Sequence, residues 1–129
     1  LAVDVGAAVV RDSADPKVVL LATGSEVSLC VEAAAVLDAS GIGARVVSMP
    51  SWDRFDAQPR AYRDDVLPAR LPVLSVEAGV TFGWAKYADD SIGIDRFGAS
   101  APGNVVMDKL GLNVANVVAR ATTLARNKG

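Results

Sequence analysis

Residues 17–37 read KVVLLATGSEVSLCVEAAAVL, and this stretch decides the fold. Its first half, Lys17–Ala22, is a continuous apolar run rich in β-branched residues, the pattern of a strand buried on both faces. Its second half carries apolar residues at helical spacing. Thr23-Gly24-Ser25-Glu26 forms the turn between them, with Ser25 as the natural N-cap of a helix over Glu26–Ala39 and Gly41 as its stop. The inner stripe of that helix is expected to be Val27, Cys30, Val31, Ala34 and Leu37, with Ser28, Glu32 and Asp38 outside. Strand, tight turn and helix together make the opening unit of a parallel α/β sheet.

Upstream, residues 5–11 form a short apolar segment ending at the turn cluster Asp12-Ser13-Ala14-Asp15-Pro16. A parallel crossover needs a dozen residues or more, so this segment is expected as an antiparallel edge strand. Downstream, Ala44–Ser48 reads as a strand stopped by Pro50, and Ser51 caps a short helix over WDRFDAQ. A further helix is expected over Arg60–Leu67, between Pro59 and Pro68, and a central strand over Val73–Val76 leads into Glu77-Ala78-Gly79. One or two helical turns over Phe82–Ala88 and a fifth strand over Ser91–Asp95 follow. Pro102 then sits in the first turn of a helix that Gly111 ends, and Asn113 caps a last helix with the stripe Val114, Val117, Val118, Ala121 and Leu124. Residues 127–129 are expected to fray. Strands alternating with helices across short loops imply one doubly wound, three-layer α/β/α domain over residues 1–129.

Composition narrows the chemistry. With 51% hydrophobic and 22% charged residues the 129-residue chain is globular, and its formal net charge of −2 gives nothing that attracts nucleic acid or an anionic membrane. A single cysteine, Cys30, excludes an internal disulfide and fits a reducing, cytoplasmic compartment. The first ten residues have no basic n-region and contain Asp4, so they do not read as a signal peptide. The chain begins with Leu1 rather than Met and is expected to be a piece of a longer protein. Histidine is absent, which excludes Ser/His/Asp and Cys/His nucleophile systems, His-bearing zinc sites and histidine proton relays together.

In open parallel sheets ligands gather at the carboxyl ends of the strands. That edge is built here from Thr23-Gly24-Ser25-Glu26, Met49-Pro50-Ser51-Trp52, Glu77-Ala78-Gly79 and Asp95-Arg96-Phe97-Gly98. A helix N-terminus can hold a phosphate, but Glu26 already satisfies the dipole and one glycine is too few for a dinucleotide fingerprint or a P-loop, so capping outweighs phosphate binding. Glu77 and Asp95, with Glu26 and Asp53, have the composition of a carboxylate pair or Mg²⁺ site. Pairing with Arg54, Arg96 or backbone N–H groups is the favoured reading. Cys30 reads as a buried small hydrophobe. Trp52, Phe55, Phe82, Trp84 and Phe97 follow strand ends, either as core plugs beneath the loops or as anchors of an interface.

Four blocks in order carry a resemblance: LLATGSEVSLCVEAA (20–34), ARVVSMPSWDRFDAQPRAYRDDVLP (44–68), SVEAGVTFGW (75–84) and IGIDRFGASAPGNVVMDKLGLNVANVVARA (92–121). Together they resemble the C-terminal domain of transketolase over about Gly6–Leu124, with the VSMPS, FDAQ…YR and FGASAP blocks resembling it in particular. The resemblance implies a mixed, mostly parallel five-stranded sheet with one antiparallel edge strand. It also implies a parent homodimer of the pentose phosphate pathway that moves a two-carbon ketol unit from a ketose phosphate to an aldose phosphate, using thiamine diphosphate and a divalent metal, usually Mg²⁺, bound between upstream N-terminal and middle domains. It supplies no catalytic, cofactor-binding or metal-binding residue in this stretch. For this domain it implies dimer assembly or a regulatory ligand, and the matching positions Thr23, Gly24, Ser25, Glu77, Gly79, Phe97, Gly98 and Ser100 are the candidate ligand or interface edge. One departure is the segment YADDS (87–91), shorter than the glycine-containing loop usual in the family.

Overall fold

A computed structural model describes residues 5–24, 26–77, 87–92 and 112–128. Within them the chain runs β1 (Ala8–Arg11), β2 (Pro16–Ala22), α1 (Glu26–Ala39), β3 (Gly43–Ser48), α2 (Trp52–Asp56), α3 (Arg60–Val66), β4 (Val73–Val76), β5 (Asp90–Ile92) and α4 (Val114–Lys128). The strands form one sheet in the order β1-β3-β2-β4-β5. β2 pairs in parallel with both β3 and β4, and β4 in parallel with β5.

The edge strand is antiparallel, as the short connection requires, but its partner is β3 rather than the following strand. Chain proximity forbids a parallel pairing with β2 without choosing the neighbour. β2 is already flanked by β3 and β4, and the open edge nearest to it is the far side of β3, which β1 takes. A bulge between Val9 and Arg11 breaks the register there, and Val10 is 50% exposed. Such a bulge twists an edge out of line for further pairing.

β2 explains why two layers of helix are needed. Val18, Leu20 and Ala22 face one core with Cys30, Ala33, Ala34 and Leu37 of α1 and Val117 and Ala121 of α4. Val19 and Leu21 face the other, with Met49, Phe55 of α2, Val66 of α3, Leu71 and Val73. A strand segment with no solvent face reads as an unbroken apolar run, as Val18–Ala22 does.

The edge strand expected over residues 5–11 is confined to Ala8–Arg11, and other expectations also need correction. In α1, Val31 is 37% exposed and Ala33 is fully buried in its place. Val31 lies about 100° around the helix from Cys30, whereas Ala33 lies about 60° away on the side that Leu37 occupies. The last helix continues through Asn127 to Lys128 instead of fraying there. The fifth strand starts one residue early, at Asp90. The helix expected from Pro102 to Leu110, the turns over 82–86 and the end of the fifth strand beyond Ile92 lie outside the described residues. Gly41 does end α1, at φ +84, with Ile42 N donating to Leu37 O at 2.9 Å and Gly41 N to Asp38 O at 3.0 Å.

Candidate functional site

The crossovers that follow β2 and β3 lie on opposite faces of the sheet. α1, between β2 and β3, lies in the first core; α2 and α3, between β3 and β4, lie in the second. In the strand order β2 is followed outward by β3 on one side and β4 outward by β5 on the other, so the direction of winding reverses between β2 and β4, the topological switch point at which doubly wound sheets open a crevice. Thr23 follows β2 and Glu77 follows β4. Because Ala22 stands opposite Val76 in the ladder, the next residues meet, and Thr23 Oγ1 donates to Glu77 Oε2 across the crevice.

This corrects the expected partner of Glu77. The carboxylate takes a hydroxyl from the neighbouring strand rather than an arginine, since the register delivers Thr23 directly beside it. Glu77 N donates to Ile92 O at 3.0 Å, tying the edge to β5. Glu26 N and Val27 N donate to Thr23 O and Gly24 O, both at 3.3 Å, so the turn feeds straight into α1. Gly24, at φ +57, has no atom within 4 Å of where a Cβ would stand, which leaves the turn open to solvent. Of the candidate edge, Thr23, Gly24 and Glu77 are brought together; Ser25, Gly79, Phe97, Gly98 and Ser100 lie outside the described residues, as do Asp95 and Arg96.

Among the aromatics, Trp52 and Phe55 belong to the core beneath the loops. Ser51 Oγ accepts from Arg54 N at 3.3 Å and starts α2, which turns Phe55 inward to 3% exposure. Trp52 and Phe55 each meet Tyr87 edge to face, at centroid distances of 5.9 and 6.2 Å, and Phe55 meets Tyr62 at 6.5 Å. Phe82, Trp84 and Phe97 lie outside the described residues. Sequence reasoning missed the two tyrosines that complete the cluster. Tyr62 OH donates to Ala7 O at 2.7 Å and Tyr87 OH to Asp56 at 2.9 and 3.0 Å, so each polar tip has a partner while its ring fills the core. The available signal was Tyr87 itself, at the head of the unusual YADDS segment. The rest of that segment is also pinned: Asp89 N donates to Val73 O and Asp89 Oδ2 accepts from Val73 N, both at 2.8 Å, and Asp90 pairs with Arg120.

Cys30 and Asp12 are displaced from their ordinary range. Burial, reinforced by the negative charge of Glu26, pushes the Cys30 thiol up to about 12, so it is a packed apolar group and a poor nucleophile. Burial would raise Asp12, but hydrogen bonds from Arg45 at 3.1 and 3.2 Å and from Ser13 N at 2.9 Å outweigh it and hold the carboxyl below its usual value. Arg45 also donates to Asp65 O at 2.7 Å, joining β3 to the end of α3. Among the described residues no three His, Cys, Asp or Glu side chains are placed to hold a metal ion, and no helix is long and apolar enough to cross a membrane.

With this geometry in hand, the family profile described as the transketolase-like TK C-terminal domain matches residues 6–113. The chain belongs to that family. It is 54% identical over 113 residues to a transketolase of Halalkalibacterium halodurans, aligning 84% of this chain with 17% of that relative. It is 50% identical over 125 residues to transketolase 1 of Saccharomyces cerevisiae, 96% of this chain against 18% of the relative. Among solved structures, a transketolase from Leishmania mexicana superposes with a TM-score of 0.93 at 49% identity, covering 98% of this chain and 19% of that one. The transketolase C-terminal domain read from the sequence blocks is thus shown, and with it the α/β fold. The chain spans less than a fifth of these transketolases.

Proposed function

We propose that this chain acts as the C-terminal domain of a transketolase, a transferase that moves a two-carbon ketol unit from a ketose phosphate to an aldose phosphate, and that its task is to complete a cytoplasmic homodimer. The observation that supports the reading is near-complete coverage of this chain at about half identity by relatives of which it makes up less than a fifth. Catalysis then belongs to the N-terminal and middle domains of the parent.

The described residues do not fit the parent's implied thiamine diphosphate and Mg²⁺. Among the described residues no carboxylate cluster is placed for a metal, and the α1 N-terminus carries Glu26 where a diphosphate would need free donors. No step of the reaction is routed through this domain. Grafting the chain in place of the corresponding segment of the Halalkalibacterium transketolase should give an active dimer, while the chain alone, with sugar phosphates, thiamine diphosphate and Mg²⁺, should give no turnover. Ketol transfer by the chain alone, or a graft that folds but fails to dimerise, would overturn the proposal.

A second reading is favoured by the Thr23–Glu77 bond at the switch point: a regulatory small molecule held at the strand carboxyl edge. Glu77 and Glu26 select a neutral or cationic ligand there over an anion. An amide-resolved NMR titration of the chain with thiamine diphosphate plus Mg²⁺, pentose phosphates and nucleotides tests it. Saturable shifts at Thr23, Gly24 and Glu77 support a ligand edge, and none with any of them leaves assembly as the domain's role.

A further inference from the structure

The opposite end of β2 carries a concavity. A cleft of about 370 Å³ opens there, lined by Lys17, by Ser40 and Ile42 just beyond α1, and by Ala125 and Arg126 near the end of α4. That volume lies at the small end of the range for small-molecule sites. The floor is apolar, since Ile42 and Ala125 are half-buried and packed on the first core, and the rim is cationic.

Cations beside helix ends often do no more than neutralise terminal carbonyls. Here the end of α1 closes on itself: Ser40 N donates to Val36 O and Leu37 O at 3.1 and 3.0 Å, Gly41 N to Asp38 O at 3.0 Å, Ile42 N to Leu37 O at 2.9 Å, and Ser40 Oγ to Val36 O at 3.1 Å. Lys17 is not needed as a cap. Its own carboxylate partner, Asp15 at 3.1 Å, forms a pair whose side chains are 53% and 79% exposed, an arrangement worth little and easily exchanged. Asp38 is engaged by Arg11 at 2.7 Å. Arg126 has no hydrogen-bond or ion-pair partner among the described residues, so the guanidinium keeps its donors.

We propose that this cleft binds a small amphiphilic oxyanion, a phosphate monoester or a carboxylate, whose head bridges Lys17 and Arg126 and whose short apolar body lies on Ile42 and Ala125. The arginine fork matches two oxygens of such a head, and lysine adds a point charge beside it. The apolar floor favours an anion with a body over a bare ion. This end of β2 is about 20 Å from the Thr23–Glu77 edge. The two sites therefore bind independently, and with opposite charge preference.

The test is an amide-resolved NMR titration of the 129-residue chain with n-butyl phosphate, butyrate, inorganic phosphate and n-butanol at low ionic strength. Butyl phosphate or butyrate should give saturable shifts at Ser40, Ile42, Ala125 and Arg126, with inorganic phosphate about fivefold weaker or more and butanol without effect. Whichever of the two anions binds tighter names the head group, and either order supports the site. Lys17→Gln and Arg126→Gln should each weaken binding about tenfold while leaving the urea midpoint unchanged. Unaltered binding in both variants, shifts confined to Thr23, Gly24 and Glu77, or no saturation with either anion would overturn the proposal.

Discussion

Gly6→Ala tests how the amino-terminal segment is docked. Gly6 sits at φ +87, and a Cβ built there would stand 2.2 Å from Phe55 N, 2.4 Å from Ser51 O and 2.8 Å from Arg54 C. All three atoms are backbone of the Ser51–Phe55 turn that starts α2, so no rotamer change makes room. The positive φ alone costs an alanine about 1–2 kcal/mol. Lifting the segment to clear the collision also breaks Ser51 N to Gly6 O at 3.1 Å and Tyr62 OH to Ala7 O at 2.7 Å. Each of those bonds is worth about 0.5–1.5 kcal/mol net, giving about 2–5 kcal/mol in all. Gly41→Ala is the internal control: its φ is +84 and nothing lies within 4 Å of its Cβ position, so it carries the conformational cost of about 1–2 kcal/mol without the collision. Urea unfolding with a shared m-value reads both variants. Equal destabilisation by the two, or a smaller effect of Gly6→Ala, would refute the close approach of Gly6 to α2.

Three further outcomes follow from the same structure. The Cys30 thiol is raised to about 12 when folded and ionises first in the unfolded chain, so its stabilising effect is full below the unfolded value of about 8.5 and is lost as pH rises toward 12. Unfolding measured against Cys30→Ala should show wild type losing about 1–2 kcal/mol by pH 10, and parallel curves would contradict the burial of the thiol. Asp12 is depressed instead, so its contribution is present above the unfolded carboxylate range and lost as pH falls through the folded value; Asp12→Asn should flatten the acid limb of a stability profile, and an unchanged limb would refute it. Arg120→Ala removes the partner of Asp90 and should speed amide exchange at Ser91 and Ile92 severalfold while sparing Val19 and Leu20 in the central strand; uniform change across the sheet would show that β5 does not open separately.

The sequence by itself determined the local units. An apolar run buried on both faces, a Ser51 cap and a Gly41 stop are written within a few residues of the elements they define, and β2, α1 and α2 follow from them closely. The family was legible too, because four blocks in order are far more specific than any one. Tertiary structure decided what depends on which elements become neighbours. Periodicity placed Val31 inside α1, but the face that meets the sheet is set by how the helix crosses β2 and β3, and that buries Ala33. β1 was recognisable as antiparallel without its partner being so. The Thr23–Glu77 bond joins residues 54 apart and exists only because the β2–β4 register sets Ala22 against Val76. Likewise the cationic cleft joins Lys17 to Arg126 from near the two ends of the chain, a proximity that no local pattern encodes.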